Sequence, residues 1–433
     1  MTTSPARHRT PLIEWALMLA VVASFAHMLW WFFTKGYLPQ PFVFDTNDTF
    51  MDWFNTAYWA NRPGAYDVWR SIYPPLSFVF LDWTSLPGCY VGSPFHARDC
   101  DWLARATILA AYAADVAVLC IAFHRADPRT AIPRTIAMAL GLPLLFTLER
   151  GNLILVALPA FVVAHGPVTR SVAWRAIGTA VTINFKPYLV LPAFAHALRR
   201  HWRPLELAGI ATVLLYLVTL ALVGSGSPME LASNTVNWVS FVAGQIWNEV
   251  NYSTSYAPLL LMRESQLPLL DFVPSRTIET IEAAVPVAIR STQLLALATL
   301  AAAWLQPRAL SHARVAAILL GAYLVTQSPG GYTQVFLLFL VLLEPWRGGA
   351  VLALVSAYLL CLVGDLPLAT VLRLDTQSWL SGRPVLPEFG LTLGHFVRPG
   401  LVLLIVWSLS LDALVRVALA HRQHRPTLGL ATA

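Results

Sequence analysis

Lysine is nearly missing from this chain: of 29 basic side chains, only Lys35 and Lys186 are not arginine. Charge as a whole is scarce, at 12% of 433 residues, against roughly 25% in ordinary water-soluble proteins. With 57% hydrophobic residues and a mean hydropathy of +0.60, a soluble globule is excluded. No basic run is long enough to follow a phosphate backbone, so the net charge of +6 is no sign of nucleic acid. A Walker sequence, a GxSxG elbow and a dinucleotide fingerprint are all lacking. Ser/Cys-nucleophile chemistry is thereby unsupported, and no cofactor is implied. The histidines are scattered, and no His/Cys/Asp cluster has metal-ligand spacing. The two carboxylates of Asp45-Thr46-Asn47-Asp48 are weak grounds for a metal, so none is expected.

Cysteine is also sparse, with 4 residues. Cys120 and Cys361 fall in apolar segments and read as small hydrophobes. Cys89 and Cys100 share one loop. They can close a disulfide ring in an oxidising compartment, and the spacing fits two free thiols as well.

What the chain has in plenty is apolar runs long enough to cross a bilayer. The first, Leu12 to Phe33, is longer than a signal-peptide core and reads as a retained signal anchor. Further spans are expected near 103–123, 132–148, 152–165, 175–185, 187–198, 205–223, 284–304, 315–328, 332–344, 349–363 and 396–415. The fold class is therefore all-α: a polytopic integral membrane protein of about 12 segments in a single domain, 1–433. The arginines agree. With the N-terminus inside, 16 of them, from Arg7 and Arg9 through Arg134, Arg175, Arg199 and Arg314 to Arg416, Arg422 and Arg425, fall in short cytoplasmic connections, as the positive-inside bias requires. Both termini come out cytoplasmic.

Three long loops, 34–102, 224–283 and 364–395, are left for the exoplasmic side, with short interfacial helices expected in them. The second holds Asn234, Asn237, Trp238, Gln245, Trp247, Asn248, Asn251 and Tyr252, a mixture that suits sugar stacking and an interfacial aromatic belt equally. The first holds an aspartate stripe. Read as a helix, Phe44 to Trp59 places Asp45, Asp48, Asp52, Asn55 and Trp59 on one face. Phe50, Trp53, Phe54 and Ala57 form another face, greasy enough for a membrane interface. Capping by Asp45 or Thr46 explains one carboxylate. Two more a turn apart repel and favour a group able to take a proton near neutrality.

Three connections are too short to be loops: Glu149-Arg150-Gly151-Asn152, Asn184-Phe185-Lys186-Pro187 and Ser328-Pro329-Gly330-Gly331. Their polar tips can stop inside the membrane where they line a cavity, and a charge at that depth is a functional candidate. Lys186 and Arg150 read either as structural ion-pair partners or as two cations that could grip a phosphate between them. His395 and Arg398 stand one turn apart before the last span, where interfacial anchoring is the simpler account.

These motifs carry a resemblance. Met51-Asp52-Trp53-Phe54-Asn55, then Gly64-Ala65-Tyr66-Asp67, then Tyr73-Pro74-Pro75-Leu76 resemble the first-loop elements of GT-C superfamily glycosyltransferases, and in particular of glycosyltransferase family 87. Glu149-Arg150-Gly151-Asn152 looks like that family's Gly-Gln/Asn tip, Lys186-Pro187 like its Lys-Pro tip and Ser328-Pro329 like its Ser-Pro element. There the family continues with Trp and a His-containing stretch, whereas this chain reads Gly330-Gly331-Tyr332-Thr333-Gln334. The family contains polyprenyl-phosphate-mannose-dependent mannosyltransferases. The resemblance implies a GT-C-like bundle in the inner (plasma) membrane with an exoplasmic or periplasmic active site. It implies inverting transfer of mannose or a similar sugar from a polyprenyl-phosphate donor to a glycolipid or glycan acceptor. Asp52, with Asp48, would be catalytic; Lys186, Arg150 and Arg398 would bind the donor phosphate. Asp45, Asn55, Tyr66, Tyr73, Asn152, Gln334 and His395 are the expected substrate contacts. A transporter of lipid-linked sugars is the rival from another class. Spans nearly pure in Leu, Val and Ala, with polarity gathered at one face, speak against it. Among enzymes the rival is a polymerase or ligase with a diphosphate-linked donor.

Overall fold

The computed structural model describes residues 12–42, 45–242, 274–326 and 330–423. Phe44, Gln327 to Pro329, Arg7, Arg9, Arg425 and the loop-two positions Gln245, Trp247, Asn248, Asn251 and Tyr252 lie outside them. The chain is mostly helical, and six helices are long and apolar enough to cross a membrane. In chain order the helices are α1 (Leu12–Lys35), α2 (Met51–Ala60), α3 (Pro75–Trp83), α4 (Pro94–Cys100), α5 (Trp102–Ala126), α6 (Ala131–Ala139), α7 (Leu142–Arg150), α8 (Ile154–His165) and α9 (Val172–Phe185). They continue with α10 (Val190–Leu198), α11 (Trp202–Val223), α12 (Pro228–Val242), α13 (Ser275–Leu305), α14 (His312–Thr326), α15 (Gln334–Leu342), α16 (Ala350–Leu360) and α17 (Gly394–Gln423). The six long stretches are α1, α5, α6 running on into α7, α11, α13 and α17.

Where water would demand polar surface, these helices turn leucine and valine outward: Val213, Leu217 and Leu222 on α11 and Leu294 and Leu297 on α13 are all exposed. Contiguous apolar surface of that kind suits hydrocarbon. The other apolar segments are shorter, such as Ile154–His165, Pro187–Leu198, Gly331–Leu342 and Ala350–Leu360. At a rise of about 1.5 Å per residue, none of them spans a bilayer of about 30 Å unaided.

Two buried charge networks clamp the bundle. Arg134 on α6 pairs with Glu14 on α1 at 2.7 Å, and Tyr358 on α16 donates to the same Glu14 oxygen at 3.1 Å. Arg314 on α14 is held by Glu344 and by Asp412 of α17, and Arg416 joins Asp412 at 2.7 Å. Arg134 and Arg314, which the sequence reading assigns to connections, thus face protein rather than water. Arg134→Met is expected to cost about 3–5 kcal/mol by stranding Glu14. The double variant Arg134→Met/Glu14→Gln should recover part of that. Thermal unfolding in detergent checks it, and a double variant no more stable than the single would refute the pairing argument.

The third loop departs from the all-α expectation. Strands β1 (Pro367–Arg373) and β4 (Glu388–Thr392) pair antiparallel, with Arg373 opposite Glu388, around a smaller pair of β2 (Thr376–Gln377) and β3 (Pro384–Val385). The Gln40 side-chain amide extends this ladder, donating to the Gly390 carbonyl at 3.0 Å and accepting from its N–H at 3.1 Å. At the hairpin tip, the Trp379 backbone N–H donates to the Thr46 carbonyl at 3.1 Å. Its indole N–H donates to Asp99 at 2.8 Å, and Arg98 stacks on the ring with 4.7 Å to the centroid. Loop three therefore lies on loop one. Cys89 and Cys100 are joined in a disulfide, which settles the alternative left open by their spacing.

Candidate active site

The aspartate stripe is not one helix. Residues 45–50 form turns, and α2 begins only at Met51. The break has a cause: Phe50 sits at φ 66°, a left-handed conformation that costs a bulky residue energy. Its N–H donates to the Glu149 carbonyl at 2.8 Å. The partner surface is made by Gly151, also left-handed at φ 62°, where a Cβ would come within 3.0 Å of the Phe50 Cα and 3.1 Å of its carbonyl oxygen. Glycine is thus needed twice over at 151, for its torsion and for the close approach of the two backbones. The greasy face of α2 is corrected as well. Met51, Trp53, Phe54 and Ala57 are fully buried in protein, Trp53 edge-on to Phe80 of α3 with centroids 5.7 Å apart. An amphipathic pattern cannot distinguish a protein partner from a lipid one.

This interlock brings the two sequence-distant motifs together. Arg150 reaches Asp48 at 2.5 Å and Asp52 at 2.8 Å. Asn152 donates its amide to the other Asp52 oxygen at 2.7 Å. Its own carbonyl oxygen accepts the Ile154 N–H at 3.1 Å, which fixes the amide at the start of α8. Burial raises the Asp48 carboxyl above its usual range, and Arg150 opposes the rise. Arg150 is therefore not free to grip a phosphate as the sequence reading expects: two carboxylates answer its charge.

Lys186 behaves differently. It caps α9 at the break before Pro187, and no salt bridge engages it among the described residues. Its ammonium lies 4.6 Å from the centroid of the Tyr73 ring, a cation–π distance. Burial draws its pKa down to about 8, with Asp52 pulling the other way. The Tyr73 hydroxyl faces Asp52, Thr56 and Asn152, and burial pushes its ionisation far up. Tyr73 thus stands between the Lys186 tip and the aspartate. Tyr332, from the third tip, is within electrostatic reach of Asp52, Tyr73 and Tyr188. Tyr188 stacks on Tyr323.

The remaining candidates take other positions. Tyr66 is buried, edge-on to Phe78, and its hydroxyl donates to the Tyr73 carbonyl at 2.9 Å; it positions Tyr73 instead of meeting a substrate directly. Asn234 of α12 braces that turn through the Tyr66 and Ser71 carbonyls. Asn55 lies further along α2, half-buried, and Asp45 is exposed, outside the Arg150 group. Gln334 is buried where α15 begins. Arg398 pairs with Asp365 at 2.7 Å, and the Nδ1 of His395 accepts the Thr392 N–H at 3.0 Å. Both ties are local to the end of loop three, so the phosphate and substrate roles expected of these two are not met in this geometry.

Two features escaped the sequence. The supposedly scattered histidines include three that meet: His165 Nδ1 lies 2.9 Å from His312 Nε2, and the His196 and His312 ring centroids are 4.3 Å apart. Asp115 is fully buried within α5 with both carboxyl oxygens unpartnered, so the spans are not purely Leu, Val and Ala. Among the described residues, no group of three or more His, Cys, Asp or Glu is arranged to hold a metal ion. No protein-family model, curated protein or solved structure matches the chain.

Proposed function

We propose that the chain is a membrane glycosyltransferase that moves a sugar, mannose or a similar one, from a polyprenyl-phosphate donor to a lipid-linked or cell-envelope glycan acceptor. One observation carries the reading: a partly buried carboxylate, Asp52, 20% exposed, is clamped by Arg150 and Asn152 beside a lysine that has no salt bridge among the described residues. Two hydrogen bonds use about half of the lone-pair sites on a carboxylate. Asp52 keeps capacity to take the proton of an acceptor hydroxyl as that oxygen attacks the anomeric carbon. The C–O bond to phosphate breaks on the opposite face, with inversion, and polyprenyl phosphate departs. Lys186 answers the charge that grows on it. Arg150 and Asn152 orient the base, and Tyr66 holds the Tyr73 turn between base and lysine.

In this reading the site opens on the exoplasmic side of the inner (plasma) membrane, with both termini cytoplasmic. The short helices α8 to α10 and α14 to α16 pair within the bundle to make up about 12 segments in a GT-C-like arrangement. The arginine distribution and the six long apolar helices support this. The transporter reading is favoured by Asp115 and the histidine trio, ionisable groups inside the bundle. Membranes lacking the chain, supplied with radiolabelled polyprenyl-phosphate sugars, separate the two. Under our reading, transfer of one sugar vanishes there and returns with the purified protein in liposomes. Unchanged transfer of every sugar would sink the enzyme and leave the transporter.

A further inference from the structure

Helix α2 buries one side in the protein and leaves the other partly open. Met51, Trp53, Phe54, Thr56 and Ala57 are buried, while Asp52, Asn55, Tyr58 and Trp59 are half-buried. At about 3.6 residues per turn, Asp52, Asn55 and Trp59 fall within about 60° of one another around the axis. The Asn55 amide makes no hydrogen bond among the described residues and is not closed off from its surroundings. Beyond it stands an aromatic platform. The chain turns back at Gly64, left-handed at φ 93°, where the Trp69 backbone N–H donates to the Gly64 carbonyl at 2.9 Å. The Trp69 ring stacks on Trp59 with centroids 6.4 Å apart and meets Tyr58 edge-on at 5.7 Å. Arg62 lies 4.3 Å from the Tyr58 centroid and is itself held by the Tyr90 and Val91 carbonyls, so the platform is fixed in place.

The make-up of this face points to its occupant. A lipid-facing surface would bear the cost of the Asp52 carboxylate and of the unpaired Asn55 amide. A surface made for water alone would have no use for two indoles and a phenol. Hydrogen-bonding groups set beside aromatic rings match a sugar, whose hydroxyls want polar partners and whose C–H faces lie flat on π-systems. After Asp52 the open face of α2 carries no charge, which suits a neutral ligand. From Asp52 to Trp59 the helix rises about 10 Å, the reach of two linked pyranose rings.

We propose that this face of α2 is an acceptor subsite for a glycan at least two pyranose rings long. The terminal ring offers a hydroxyl to Asp52, Asn55 bonds the hydroxyls beside it, and the next ring rests on Trp59, Trp69 and Tyr58. The subsite deepens the proposed transfer and rests on that reading for the role of Asp52. A single sugar or a bare lipid alcohol would leave the platform empty.

Saturation-transfer NMR tests the subsite without turnover. The whole protein in nanodiscs is given methyl mannoside, mannobiose and mannotriose, then the matching gluco- and galacto-oligosaccharides. In one series the longer sugars should be saturated on two successive rings, and the single ring scarcely at all. Trp59→Leu should remove contact with the second ring and Trp59→Phe should keep it. Asn55→Ala should weaken binding about fivefold, the worth of one hydrogen bond. Replacing Asn55 breaks no hydrogen bond within the protein, so this variant reads the subsite even if Trp59→Leu fails to fold. Trp83→Leu, which removes an exposed indole of α3, should change nothing. In the transfer assay, Asn55→Ala and Trp59→Leu should raise the acceptor KM by a similar factor and leave the donor KM as it is. The subsite is overturned if none of these sugars is saturated, or if Asn55→Ala and a folded Trp59→Leu alter neither binding nor acceptor KM; transfer itself would stand. Sugar binding without transfer from any donor would sink the proposed reaction and leave the subsite.

Discussion

Asp52→Asn is expected to lower sugar transfer by about 10²–10⁴-fold, the range a positioned general base contributes, while the protein still folds. The substitution keeps an oxygen for Arg150 and a side chain of the same size, so the packing of Trp53 and Phe54 is spared, while the hydrogen bond from the Asn152 amide is lost because the new amide nitrogen cannot accept it. Arg150 also retains Asp48, so no cation is stranded and the change in stability should stay within about 1–3 kcal/mol, the cost of one donor left unpaired. Asp48→Asn is the companion measurement. Asp48 shares Arg150 but lacks the Asn152 amide, and burial raises its carboxyl above the usual range while Arg150 opposes the rise. Its replacement should cost no more than about tenfold, through looser placement of Arg150, against the far larger loss expected of the base. Initial rates with labelled donor, beside thermal unfolding of each variant, decide the matter. If Asp48→Asn abolishes turnover and Asp52→Asn does not, the roles are reversed; if both turn over normally, neither is the base.

The residues of this site were legible in the sequence, and their arrangement only in part. Asp48, Asp52, Arg150, Asn152 and Lys186 stand out because polar groups amid apolar runs are costly unless used. Hydropathy is a local property, so the six long helices could be read directly. What could not be read depends on partners distant along the chain. The start of α2 at Met51 is dictated by the Glu149 carbonyl and by Gly151, about a hundred positions further on. Trp379 meets Arg98 and Asp99 across an even longer separation, and nothing local announces it. The three histidines lie on α8, α10 and at the start of α14 and meet only once those helices pack. In Arg150 the residue was legible and its role was not. A guanidinium between spans reads as an anion ligand or as an ion-pair partner, and the two carboxylates that reach it through the fold decide for the second and make it a positioning group. Loop three was misjudged for a different reason: short strands pairing with one another leave only a weak period-2 pattern among the Pro and Gly residues.

That reassignment of Arg150 concentrates the donor's phosphate on Lys186, and the concentration has a testable consequence. Lys186→Gln should cost about 10²–10³ in transfer, as loss of one preorganised donor to a developing anion does. The conservative variant separates charge from packing. With a pKa drawn down to about 8, the free enzyme loses its ammonium as pH rises through that value, so kcat/KM should fall on the alkaline side with a midpoint near it. A bound phosphate favours the charged lysine, so the corresponding limb in kcat should lie at higher pH. In Lys186→Arg the guanidinium stays cationic throughout, and the alkaline limb should vanish from whatever activity remains. Alkaline unfolding would imitate this limb in the unaltered chain, but the sign of the linkage tells the two apart. Between about 8 and the unfolded lysine value near 10.4, the native state binds fewer protons at this position than the unfolded one. Its contribution to stability therefore rises with pH across the window in which activity falls. An unfolding temperature that holds or increases from pH 8 to 10 while kcat/KM drops places the loss at Lys186. A limb that persists unchanged in Lys186→Arg removes the lysine from the role of phosphate ligand.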